Sequence, residues 1–218
     1  MAYAAARKFM VDGQLRPNKV TDPLVLAAMA RIPREAFVPA AAQPRAYADE
    51  AVPLAPGRAM MAPMVLARLL QALAPRLGES ALVVGAGTGY AAAVLAEMGA
   101  VVTALEEDAG LLAIARKAWQ AVLPGATPLA VQGPLALGHA SVGPYHIILI
   151  NGTVSALPEA IAAQLAEGGR LAMVQSQPNG VQHAVLGTKL HGQIFMHPVM
   201  DATAPALPGF APAPSFVF

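Results

Sequence analysis

The chain has 218 residues, enough for one domain with a sizeable core or a domain plus a small extension. With 56% hydrophobic and 12% charged residues it is not disordered by composition, and a net charge of +1 without a run of Lys or Arg argues against a basic patch for nucleic acid or a membrane surface. Cysteine is absent, which excludes disulfides, thiolate metal sites and a thiol nucleophile.

In chain order, the opening MAYAAARKFMVDGQLRP lacks the uninterrupted apolar stretch of a secretory signal, so a cytoplasmic location is the default expectation. Residues 1–78 read as mainly helical. Asp22 and Pro23 suit an N-cap and first helical position, opening a helix with Val25, Leu26 and Met29 apolar that stops near Pro33. Residues Tyr47 to Arg58, rich in Pro, Gly and Ala, read as a long loop. Pro63 opens a second helix, with Val65, Leu66, Leu69, Leu70 and Leu73 at helical spacing, ended by Pro75 and Gly78.

From residue 79 to 175 strands and helices alternate. Strands are expected at Ala81–Val84, Val101–Leu105, Tyr145–Ile150 and Arg170–Val174. Helices are expected at Tyr90–Met98, Ala109–Val122 and Pro158–Glu167, the last closed by Gly168 and Gly169. Strands that are unbroken apolar runs between helices imply a parallel sheet covered on both faces. The most apolar window, Ala81 to Leu105, is long enough to span a membrane, but glycines at 85, 87, 89 and 99 and Glu97 make it a strand–turn–helix–turn–strand instead. Beyond it, Val181–Leu190 and Gln193–Met200 flank His191-Gly192 as a hairpin. The Pro-rich tail ending in Phe216 and Phe218 is either flexible or an extended segment pinned by its phenylalanines. The five histidines (His139, His146, His183, His191 and His197) show no metal-binding spacing and read as ordinary surface or core residues.

The chemistry concentrates after the first of these strands. Gly85, Gly87 and Gly89 form a turn between strand and helix, where a missing Cβ lets backbone approach a ligand and the helix offers free N–H groups. A tight turn that needs glycine for geometry alone is the plainer alternative. The next strand ends in Glu106, 17 residues after Gly89, where a carboxylate can accept both hydroxyls of a ribose. Strand, turn, helix and terminal acid together point to a nucleoside cofactor. Tyr90 stands where a dinucleotide fingerprint starting at Gly85 needs Gly or Ala, although a register starting at Gly87 fits the looser NAD form with Ala92. The G-x-G-x-G register favours S-adenosylmethionine, which has no pyrophosphate, over NAD.

Four segments, in order and spacing, resemble the protein-L-isoaspartate O-methyltransferase family over roughly residues 8–175. They are MVDGQLRPNKVTDPLVLAAMARIPREAFVP, AYADEAVPLAPGRAMMAP, VVGAGTGYAAAVLAEMGA and LPEAIAAQLAEGGRLAMV. The resemblance implies a Rossmann-like class I S-adenosylmethionine-dependent methyltransferase fold, α/β and doubly wound, with a mainly parallel sheet, an N-terminal helical extension (1–78) and a C-terminal hairpin within a domain over 79–218. It implies methyl transfer from S-adenosylmethionine to an isoaspartyl carboxylate of a damaged protein or peptide; charge, hydropathy pattern and histidine spacing give no expectation of a nucleic-acid, membrane or metal partner. By matching position it assigns Gly85, Gly87, Gly89 and Tyr90 to the cofactor loop, Glu106 to the ribose, and Pro134 and Leu135 to the neighbourhood of the adenine.

The chain also departs from the family pattern. Arg58-Ala59-Met60-Met61-Ala62-Pro63 stands for Gln-Thr-x-Ser-Gln-Pro, and only the proline is shared. Val83 replaces an acid before the glycine loop, Pro134 the Asp of Gly-Asp-Gly, His146 an Asp opening the fourth strand, and Asn151-Gly152 a Thr-Ala pair. Arg58 and Met61 become the candidate substrate contacts: Arg58 as a planar fork for a carboxylate or as a solvated loop residue, Met60, Met61 and Met64 as a soft pocket or as core. No catalytic acid or base is expected, because a carboxylate nucleophile is already ionised at neutral pH.

Overall fold

The structure is a computed structural model, and it describes residues 2–125 and 127–210. Phe216 and Phe218 lie outside the described residues.

Helix α1 (Ala2–Phe9) runs into one wider turn, in which the Arg16 N–H reaches back to Val11 O at 3.1 Å. Helix α2 (Pro23–Arg31) starts where the sequence places it: Asp22 Oδ1 accepts the N–H groups of Leu24 (2.8 Å) and Val25 (3.3 Å). Its buried face is Val25, Leu26, Ala28 and Met29. Ile32 is already extended, as a residue preceding proline tends to be.

The stretch expected to be a loop contains a small hairpin, β1 (Val52–Ala55) and β2 (Arg58–Met60), antiparallel around Pro56-Gly57. Strands of four and three residues, interrupted by Pro53 and a register shift, leave no alternating pattern to read. Helix α3 (Pro63–Leu73) buries all five of its expected apolar positions.

The rest of the chain winds one seven-stranded sheet. It comprises β3 (Ser80–Val84), α4 (Tyr90–Glu97), β4 (Val101–Glu106), α5 (Ala109–Val122), β5 (Leu129–Gln132), β6 (Tyr145–Val154), α6 (Glu159–Ala163), β7 (Leu165–Ser176), β8 (Gln182–Leu190) and β9 (Gln193–Asp201). The order is β5-β4-β3-β6-β7-β8-β9, parallel from β5 to β7 and antiparallel over the last two pairings. Side chains of β3 alternate between two core layers, Ala81 and Val83 in one, Leu82 and Val84 in the other. That alternation is why β3 has no polar position from Ala81 to Val84: both faces are covered. The N-terminal helices share the first layer, through Met10, Val25 and Met29, with Ala81 and Val83. Among the described residues no helix is long and apolar enough to cross a membrane.

Two further differences from the sequence reading have identifiable physical causes. Strand β5 was not expected; it is an edge strand of four residues with partly exposed side chains, between Pro128 and Pro134. The helix expected over Pro158–Glu167 ends at Ala163, because the Tyr145 N–H donates to Gln164 O at 2.8 Å and Leu165 is drawn into the sheet. Glu167 leaves the helix altogether, and its carboxylate accepts the N–H groups of His191 and Gly192 (3.1 Å to Gly192) in the β8–β9 turn. That two-residue turn has positive φ at both His191 (53°) and Gly192 (76°), the geometry that suits a twisted hairpin.

Two arginines position the frame around the glycine turn. Arg170 on β7 forks onto Glu79 (2.8 and 2.7 Å) and donates to Leu73 O and Ala74 O (both 2.9 Å), tying the end of α3 to the start of β3. Arg34 is fully buried; its Nε donates to Ala46 O (2.6 Å) and its Nη2 to Met61 O (2.5 Å). It thereby clamps both flanks of the β1–β2 hairpin, and its guanidinium lies 4.9 Å above the Tyr90 ring centroid. Burial, the largest influence, pushes the Arg34 pKa down.

Two outcomes follow from these clamps. Arg34→Lys cannot span both carbonyls, so urea unfolding should show a loss of about 2–3 kcal/mol; a loss within error of zero would deny the clamp. Hydrogen bonding from Arg170 is the main influence lowering the Glu79 pKa, so the pair's contribution is full above the ordinary glutamate range and is lost as pH falls through the lowered value. Glu79→Gln should therefore cost about 2 kcal/mol at neutral pH and progressively less in acid. A gap that stays constant into acid would contradict this assignment.

Candidate functional site

Strand β3 pairs with β4 on one side and β6 on the other, so the chain leaves its top at the point where the strand order reverses. Open α/β sheets bind ligands in the crevice at such a switch point. The turn that fills it has Gly85, Gly87 and Gly89 at φ of 73°, 59° and 91°, left-handed values that favour glycine. Close packing adds a second reason: a Cβ on Gly89 would lie 2.5 Å from Trp119 Cζ2, and the Trp119 indole N–H donates to Gly89 O at 2.9 Å.

The three acids ending β4 divide their work. Asp108 caps α5, accepting from Gly110 (2.7 Å) and Leu111 (3.0 Å). Glu107 is exposed. Glu106 turns inward with no solvent exposure. Its carboxylate accepts the N–H groups of Gly87 (2.6 Å), Glu107 (3.0 Å) and Asp108 (3.1 Å). It is also gripped by both terminal nitrogens of Arg58, Nη1 on Oε1 and Nη2 on Oε2 (2.6 Å). The sequence placed Arg58 with the substrate; here its side chain is 9% exposed and spent on the carboxylate assigned to ribose.

The other expected contacts fall as follows. Tyr90 opens α4, is buried edge-on against Phe37 (5.6 Å between centroids) and has a hydroxyl without a hydrogen-bond partner. Burial, the largest influence, pushes its pKa up to about 12. Gly133 N–H donates to Glu106 O at 3.2 Å, which brings residues 133–135 beside the cradle. Pro134 is exposed there, but Leu135 is 1% exposed and packed in the second core layer, so its side chain serves the core. Met60 and Met61 are core residues, 5% and 1% exposed, whereas Met64 is only half-buried.

Sequence reasoning gave no role in the site to three side chains that crowd this turn. Leu54 of the hairpin covers Gly87, where an added Cβ would lie 3.2 Å from its Cδ1. Leu207 fills the slot between Gly85 and Gly152; a Cβ on either would fall 2.7 Å from it. Asn151, at the end of the apolar run of β6, donates from Nδ2 to Gly85 O at 3.0 Å and braces the turn. The segment carrying Leu207 is held along β6, with Thr153 N–H on Pro205 O (2.7 Å), Leu207 N–H on Thr153 O (3.0 Å) and Ser155 Oγ on Phe210 O (3.1 Å). Residues 204–210 are thus pinned, with Leu207 and Phe210 both buried in the second core layer. Leu54 carried no signal because the hairpin was unread, and Leu207 because its partner is far away in sequence.

The donors and acceptors present suit a nucleoside: an inward carboxylate at the end of β4 beside a glycine turn. The cavity that borders the turn, among Leu54, Met60, Met61, Gly87, Tyr90 and Asn151, is about 10 Å³, at most the space of one water. Arg58, Leu54 and Leu207 fill the cradle with the chain's own atoms. Among the described residues no three His, Asp or Glu side chains gather to hold a metal ion.

Comparison with known proteins places the chain. Two curated protein-L-isoaspartate O-methyltransferases are similar: one from Methylorubrum populi, 44% identical over 179 residues (81% of this chain, 82% of that one), and one from Methylorubrum extorquens, 42% identical over 180 residues (81% and 77%). A solved protein-L-isoaspartate O-methyltransferase superposes with a TM-score of 0.81 at 23% identity, covering 93% of this chain and 66% of that one. A Plasmodium falciparum structure described by the same activity, and solved with S-adenosyl-L-homocysteine, gives 0.76 at 21% identity, covering 92% and 97%. At those identities the superpositions speak for the fold, a class I methyltransferase type with a mainly parallel sheet. The family model for protein-L-isoaspartate(D-aspartate) O-methyltransferase matches residues 6–204, and the chain belongs to that family.

Proposed function

We propose that this chain is an S-adenosylmethionine-dependent carboxyl O-methyltransferase acting on isoaspartyl residues of proteins or peptides. The observation that carries the reading is the inward Glu106 carboxylate hydrogen-bonded to the Gly87 amide of a left-handed glycine turn, in a chain of this family. Glu106 would hold the ribose hydroxyls, the backbone of Gly85, Gly87 and Gly89 would lie against the cofactor, and Gly133-Pro134 would border its base. When bound, the cofactor supplies an electrophilic methyl group on a sulfonium.

The chain's own residues then have alignment and dryness to provide. The acceptor carboxylate is ionised at neutral pH, so no side chain has to remove a proton. Met60, Met61 and Leu54 present apolar surface beside the turn, which keeps water from competing. A groove of about 680 Å³ between the 49–65 segment and residues 201–205 shares Ala59 with the cradle, giving a peptide-sized approach. Its Asp49, Glu50 and Asp201 carboxylates favour acceptors with neighbouring basic residues over strongly acidic ones.

A second reading, a relative that keeps the fold without turnover, is favoured by the closed cradle and by Ala59, Met61 and Ala62 in place of polar residues. Transfer of labelled methyl from S-adenosylmethionine to an isoaspartyl peptide, with the aspartyl isomer as control, separates the two. We expect a base-labile ester on the isoaspartyl peptide alone; S-adenosylhomocysteine binding without transfer would instead support the second reading. In the same protein Glu106→Ala should weaken S-adenosylhomocysteine binding at least about tenfold, the scale of one hydrogen bond to a charged group. Unchanged affinity would remove Glu106 from the site.

A further inference from the structure

We propose that Arg58 is a placeholder for the ribose, so that nucleoside and guanidinium compete for the one carboxylate of Glu106. This rests on the S-adenosylmethionine reading above. A carboxylate offers about four lone-pair positions. Glu106 already receives five N–H donors, three from backbone amides and two from the Arg58 fork. Two ribose hydroxyls therefore cannot be added; they have to replace something.

The donors differ in how readily they leave. The amides of Gly87, Glu107 and Asp108 belong to the turn after β3 and the end of β4, and withdrawing them would undo the switch point itself. Arg58 is one flexible side chain on a three-residue strand of a hairpin with an irregular register. Its two N–H donors match the two O–H donors of a ribose in number and in target, so the exchange is two for two. Arg58 takes the position of a neutral Gln in the family pattern, so that pattern does not itself supply a guanidinium fork. Both partners are buried, 9% and 0% exposed, so added salt screens the pair little.

The consequence is an affinity set by the fraction of molecules with Arg58 withdrawn. Arg58→Met keeps the long stem, removes the donors and should bind S-adenosylhomocysteine about tenfold more tightly or better by calorimetry. Equal or weaker binding by a folded Arg58→Met protein overturns the placeholder. Because the substitution also strips Glu106 of its counter-ion, a second measurement uses the unaltered chain. The ¹⁵N signal of the Arg58 guanidinium, identified by its loss in Arg58→Lys, should show hindered rotation without ligand and lose it at saturating S-adenosylhomocysteine. Hindered rotation that persists at saturation overturns the proposal. If the unaltered chain binds and transfers methyl while Arg58→Met gains nothing, only the placeholder falls. If neither protein binds S-adenosylhomocysteine, the cofactor reading falls with it.

Discussion

A carboxylate with no solvent exposure is tolerable only when its lone pairs are met, and Glu106 meets them from three directions at once. One amide comes from the glycine turn after β3, two from the residues that follow Glu106 itself, and a guanidinium from the β1–β2 hairpin. These are the parts that must come together to make a cofactor cradle. The parallel register of β3 and β4 fixes the first two, since Val84 stands beside Leu105 and the turn begins beside Glu106. The hairpin is the one component brought in from outside the sheet, and a buried ion pair anchors it.

The hairpin is also anchored from behind. Arg34 holds Ala46 O and Met61 O, on either side of it, and rests on the face of Tyr90, the first residue of the helix that follows the glycine turn. Two buried guanidinium groups thus bracket the same element in different ways. Arg34 pairs with carbonyls and a ring face and makes no ion pair among the described residues, so it is a fixture. Arg58 pairs with a carboxylate that the proposed reading also assigns to the ribose, so its bond would be exchangeable. Arg34 Nη1 and the Tyr90 hydroxyl, both buried and both without a hydrogen-bond partner, mark the place where this packing is least satisfied.

What could be read from the sequence follows physical range. The turn at 85–89, the cap at Asp22, the helices opening at Pro63 and Ala109 and the hairpin at His191-Gly192 are local, and each appears where expected because its cause lies within a few residues. The end of α6 was misplaced because it is decided by pairing with Tyr145, about twenty residues away. The same split runs through the site. The glycines and the inward Glu106 were legible as a strand–turn–helix followed by an acid. The Arg58–Glu106 pair spans 48 residues, and Leu207 meets Gly85 from the other end of the chain, so no periodicity or spacing announces either.

The altered loop at 58–63 makes sense in this light. Where the family pattern carries Thr, Ser and Gln, this chain has Ala59, Met61 and Ala62, and the Met61 side chain is buried while its carbonyl is already used by Arg34. A polar side chain at 61 would face a cavity of about 10 Å³ with few partners, and a buried group left unpaired costs about 1–3 kcal/mol, whereas Ala59 and Ala62 are half-buried and also border the open groove. Apolar residues avoid that cost while the cradle is closed. They also leave Arg58 as the only cationic side chain within the 58–63 loop. Once a ribose takes Glu106, the guanidinium needs another anion or water, and the acceptor of the proposed reaction is itself a carboxylate. A loop stripped of neutral hydrogen-bonding groups but given one displaceable cation is therefore physically coherent: the closed form pairs that charge with Glu106, and opening it would expose a cation that can meet the acceptor's own carboxylate.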